Sequence, residues 1–78
     1  MEPIPLTRLA PGASARIAGV RSRNQQLVHK LGALGVLPGL PVTLLQDYPA
    51  YLIQIDQTQL ALDQETANCI EVLLARTH

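Results

Sequence analysis

The spacing of apolar residues changes twice along the chain. Over Ser14–Val20 it alternates, with Ala15, Ile17 and Gly19 on one side and Arg16 on the other, which predicts a strand. Ala18 and Val20 share the side of Arg16, so both faces of that strand should be partly covered. From Gln25 to Leu34 the period lengthens. Leu27, Val28, Leu31 and Leu34 form one helical stripe, and Gln26, His29 and Lys30 lie away from it. The short period then returns over Leu40–Gln46, Tyr51–Asp56, Gln59–Leu62 and Cys69–Leu74. In these strands Tyr51, Ile53, Ile55, Leu60, Leu62, Ile70, Val72 and Leu74 should face inward.

Turn residues punctuate this pattern. Pro3 and Pro5 exclude a regular helix at the start and leave residues 1–5 as an extended lead-in, followed by a turn or bridge with Leu6 and Leu9 as its apolar pair. Pro11-Gly12 is a turn, and Ser22 or Asn24 can cap the helix. The helix runs into Leu31-Gly32-Ala33-Leu34-Gly35-Val36-Leu37-Pro38-Gly39. Here Gly35 suits the left-handed position past a helix end, and Pro38 and Gly39 suit the two corners of a type II turn. Taken alone, the stretch is a helix-to-strand junction with Gly35, Pro38 and Gly39 as structural residues. Asp47–Ala50 is a turn, Gln57-Thr58 a two-residue connection, and Asp63 the cap of a helical turn closed by Thr66, Ala67 and Asn68. Ala75–His78 should fray.

About five short strands, with one helix inserted after the first, do not alternate as βαβ units. The later strands are joined by short turns. A mainly β chain of this kind suits a small antiparallel barrel with the helix over one opening. A helix of about three turns is unstable alone, so it should dock on the sheet. Residues 1–78 are read as a single domain, since 78 residues leave no room for a second core.

Composition narrows the function classes. There is no Trp or Phe and only two Tyr, so the core must be aliphatic. Aromatic platforms for stacking bases are nearly absent, which counts against single-strand nucleic-acid binding. Cys69 is the one cysteine, so no internal disulfide forms. No signal peptide or membrane-length apolar run is present, and a cytoplasmic location is expected.

The net charge is zero but segregated. Arg8, Arg16, Arg21, Arg23 and Lys30 fall in an acid-free run from residue 3 to 46, whereas Asp47, Asp56, Asp63, Glu65 and Glu71 follow it. Arg16, Arg21, Arg23 and Lys30, near the start of the helix, are therefore the candidate partner-binding residues. Four cations without a groove-reading helix are a weak nucleic-acid signal. Ser14 and Ser22 have no histidine and carboxylate in a triad order, and His29 and His78 are isolated, so no catalytic residues are assigned. Cys69 reads as a small hydrophobe. No C-x-x-C or H-x-x-x-H pair exists, and Asp63 and Glu65 are explained by a helix dipole, so neither a metal site nor a cofactor is expected.

The order of these pieces over residues 5–74 resembles the ferrous iron transport A (FeoA) family. The resemblance rests on Pro11-Gly12, the strand Ser14–Val20, the stretch Leu31-x-x-Leu34-Gly35-x-x-Pro38-Gly39, Val42–Leu45, Leu60–Leu62 and Ile70–Val72. It implies an SH3-like barrel. It also implies a small non-enzymatic, cytoplasmic accessory protein that contacts the transporter FeoB, with no small-molecule substrate and no membrane insertion. The chain departs from the family at Asp47-Tyr48-Pro49-Ala50, which replaces a Gly-Asp-Pro turn, and at Gln57, where a glycine is common. Two other readings stay open: a nucleic-acid-binding small barrel, and an SH3-like domain that senses ferrous metal. An open sheet edge also allows oligomerisation.

Overall fold

The computed structural model describes residues 2–74. They form six strands: β1 (Ile4–Pro5), β2 (Ser14–Val20), β3 (Pro41–Gln46), β4 (Tyr51–Ile55), β5 (Thr58–Leu62) and β6 (Ile70–Leu74). Two helices, α1 (Gln25–Ala33) and α2 (Gln64–Cys69), and a 3-10 turn at Leu6–Arg8 complete the set. The sheet order is β1-β6-β2-β3-β4-β5, and each neighbouring pair is antiparallel.

The expected mainly β antiparallel architecture is present, with one more strand than the pattern suggested. Ile4 and Pro5 pair with Val72 and Glu71, so the lead-in is partly a strand. A two-residue strand at the sheet edge accommodates Pro5 because an edge residue has no obligation to donate its N–H. Strands β1 and β5 remain the two edges, so the sheet curls without closing its ladder.

The core is aliphatic. Leu6, Ile17, Leu31, Val42, Leu44, Ile53, Ile70 and Val72 are fully buried, and among the described residues no polar or charged one is. Burial therefore supplies nearly all the cohesion, through branched side chains that suit a pleated, half-covered surface. Leu6 reaches this core from the 3-10 turn, which is fixed by the Thr7 hydroxyl donating to Asn68 Oδ1 at 3.0 Å. Two bulges explain the imperfect alternation. Ala18 is the extra residue between Ile17 and Gly19 opposite β6, and Leu45 the extra one between Leu44 and Gln46 opposite β4.

Four expectations need correction. Leu34 is exposed, because the chain leaves the helix there and returns Val36 to the core in its place. Leu74 is half exposed, since it lies at the strand end opposite Ala15, where the core runs out. The β4–β5 turn is Asp56-Gln57, one residue earlier than the pattern placed it. Asp56 takes φ 55°, and its carbonyl accepts from Gln54 Nε2 at 3.1 Å. Cys69 ends α2 instead of opening β6, and it is half-buried rather than a core hydrophobe. Ala75–His78 lie outside the described residues.

Both helices start on side-chain caps. Asn24 Oδ1 accepts from the N–H groups of Gln26 and Leu27 at 3.0 and 3.2 Å. Asp63 Oδ1 accepts from Thr66 N–H at 2.7 Å, and this backbone bond, more than any other contact, holds its carboxyl below the ordinary carboxylate range. A depressed folded pKa contributes stability above the unfolded pKa and loses it as pH falls through the folded value. The amides of α2 should therefore exchange faster as pH drops below about 4, once intrinsic exchange is corrected for. Asp63→Asn keeps the cap but should flatten that dependence. An equally steep dependence in the variant would assign it to another group.

Candidate functional site

The stretch from Leu31 to Leu40 forms one continuous hydrogen-bonded frame. Helix α1 ends in a Schellman motif: Val36 N–H donates to the Leu31 carbonyl at 2.9 Å and Gly35 N–H to the Gly32 carbonyl at 3.0 Å. Gly35 sits at φ +104°, a conformation that any Cβ would strain. Leu31 and Val36, the residues joined by the longer loop of this motif, are both buried, which is its usual apolar contact. A Pro-Gly turn follows, with Gly39 at φ +92° and Leu40 N–H donating to the Leu37 carbonyl at 3.3 Å.

This turn is bound to β2. Gly39 N–H donates to the Ile17 carbonyl at 2.7 Å, and Ile17 N–H donates to the Leu40 carbonyl at 2.9 Å. The Arg16 guanidinium donates to the Gly39 carbonyl at 2.7 Å. The frame nevertheless presents Leu34, Leu37 and Leu40 to solvent, at 40%, 47% and 37% exposure. Isolated exposed leucines need no explanation. Three at three-residue spacing, on a backbone braced by two glycine turns and an arginine, make this run of the chain, the leucine strip, the candidate for a protein contact.

A groove of about 270 Å³ adjoins the strip. Leu27 and Leu31 of α1 and Leu34 just past its end line one side and Ala61 and Leu62 of β5 the other, with Lys30 and Asp63 adding one charge of each sign. Helix α1 buries only Leu31 fully and leaves Leu27 half-covered, so the groove is what remains between a lightly docked helix and the end of the sheet.

The four cations have different surroundings. Arg16 braces the Pro-Gly turn. Arg21 lies 3.7 Å from Glu71 with its side chain 84% exposed, a surface pair that contributes little to stability. Arg23, before α1, and Lys30, on its last turn, are exposed. Sequence reasoning placed the contact on these cations and overlooked Leu37 and Leu40. The repeated three-residue spacing of Leu31, Leu34, Leu37 and Leu40 through a turn that cannot be helical throughout was the available signal. His29 is exposed, and among the described residues no three His, Cys, Asp or Glu side chains come together as a metal site would require.

Comparison with known proteins agrees with this architecture. The model of the FeoA domain family matches residues 4–74. The FeoA protein of Stenotrophomonas maltophilia, solved with zinc and described as an SH3-domain protein, is 25% identical, with 88% of each chain covered and a TM-score of 0.79. Iron(II) transport protein A of Clostridium thermocellum is 29% identical with a TM-score of 0.82, over 92% of this chain but 46% of that one. IdeR of T. acidophilum shares the fold at 20% identity and a TM-score of 0.86, over 96% of this chain and 35% of that longer protein. No curated protein sequence matches the chain.

Proposed function

The chain belongs to the FeoA family, and on that premise we propose that it serves ferrous iron transport as a cytoplasmic, non-enzymatic accessory protein that contacts the transporter FeoB. The Stenotrophomonas maltophilia relative is described as a candidate activating factor of bacterial ferrous iron transport. The observation that carries the reading is the exposed leucine strip on a braced frame: Leu34, Leu37 and Leu40 stay in water at a cost that a partner surface would remove. No helix among the described residues is long and apolar enough to cross a membrane.

In this reading the leucines are the apolar centre, Arg16 braces the turn that carries them, and the positive charge of Arg21, Arg23 and Lys30 guides approach to an acidic face. The test is affinity for detergent-solubilised FeoB. Leu37→Asp should weaken binding roughly 30-fold, as loss of an interface anchor does. Arg23→Ala with Lys30→Ala should weaken it by less and mainly through the association rate. Both variants should melt with the parent protein. Affinity unchanged in both would remove this surface from the proposal.

A further inference from the structure

The two edges of the sheet are built differently. Strand β1 is two residues long, includes Pro5 and follows Pro3, so it offers little backbone to a newcomer. Strand β5 is Thr58-Gln59-Leu60-Ala61-Leu62, with no proline, no lysine and no charge. Among the described residues it pairs with β4 alone. None of the usual protections of a sheet edge is present along Thr58–Leu60, and at Ala61 and Leu62 the edge borders the groove whose other side α1 lines.

The register shows which backbone groups are free. A two-residue turn at Asp56-Gln57 makes Ile55–Thr58 the closing hydrogen-bonded pair. Antiparallel alternation then directs Thr58, Leu60 and Leu62 toward β4, and turns the N–H and C=O groups of Gln59 and Ala61 outward. Gln59 and Ala61 are exposed.

We propose that this edge pairs with the same edge of a second copy of the chain, antiparallel about a two-fold axis at Leu60. That register places Gln59 opposite Ala61 of the other copy, and Ala61 opposite its Gln59. It forms four inter-chain backbone hydrogen bonds from groups that are otherwise unpaired. Leu60 meets its own counterpart at the axis, in the close-spaced type of pair where apolar side chains pack best. The paired segment itself carries no charge, so no carboxylate faces another within it. An isologous contact of this form closes after two copies, because it consumes the one long edge of each.

The proposal draws on β5 and not on Leu37 or Leu40, and although Leu34 and Ala61 line the same groove, Leu37→Asp tests the FeoB contact without touching the edge. Sedimentation over increasing concentration should show a species of twice the 8.5 kDa chain mass. Hydrogen exchange at the Gln59 and Ala61 amides should slow as that species fills. Ala61→Pro deletes one outward N–H from each copy and none of the bonds to β4, so it should leave the fold intact and weaken the dimer roughly tenfold or more. The double variant Gln59→Lys, Ala61→Lys sets lysine opposite lysine twice and should also dissociate it, whereas Gln59→Lys, Ala61→Glu sets opposite charges together and should restore it. A protein that stays monomeric at about millimolar concentration, where even a weak contact would register, contradicts the proposal. So does a dimer indifferent to all three variants.

Discussion

Leu31→Ala is expected to remove about 2–5 kcal/mol of stability, the range for truncating a fully buried leucine. Against a total of roughly 5–15 kcal/mol for a domain, that is a large fraction. Leu31 is 2% exposed and is the one side chain that α1 buries fully. It also supplies the carbonyl that accepts from Val36 and the apolar partner that the helix stop requires. The loss should therefore be uneven: α1 amides should lose protection well before those of β2, β3 and β6. Leu34→Ala, at an exposed position one turn on, should stay within about 0.5 kcal/mol. Urea unfolding of the two variants decides the matter. Equal losses would mean that the helix docks through its whole stripe and not through Leu31.

The second large effect is at Gly35. With φ at +104°, a β-branched residue there should cost about 1–3 kcal/mol, so Gly35→Val should lower the melting temperature clearly. No atom lies within 4 Å of where a Cβ would project, so the cost is backbone strain and not collision. Gly35→Asn, which visits the left-handed region more readily, should lose less. A valine variant that melts with the parent would show that the chain can end the helix another way. Because Gly35 sets the direction of Leu37 and Leu40, its substitution should also weaken FeoB binding in proportion to the disorder it introduces.

Much of this fold was legible because the local signals agreed with one another. Alternation from Ser14 to Val20, the Asn24 and Asp63 caps, and the Pro-Gly punctuation all describe what the chain does. Two of the misses share one cause, which is that periodicity carries no information about where cover ends. Leu34 and Leu74 fit their stripes and yet face solvent, because no element among the described residues buries them. Val36 escaped notice because its burial depends on a six-residue loop closing through a left-handed glycine. The strand at Ile4–Pro5 is short, contains proline and exists only through pairing with β6. For the candidate site, residue type pointed to the cations. Arg16 proves to brace the turn, and the leucine strip it supports was visible only as spacing.

The account stands most directly on whether the purified protein is retained by solubilised FeoB. Retention at moderate salt, weakened by Leu37→Asp, is the expected result. It would identify the leucine strip as the means of contact. No retention at low and moderate salt would contradict the FeoB contact while leaving the family and the fold in place.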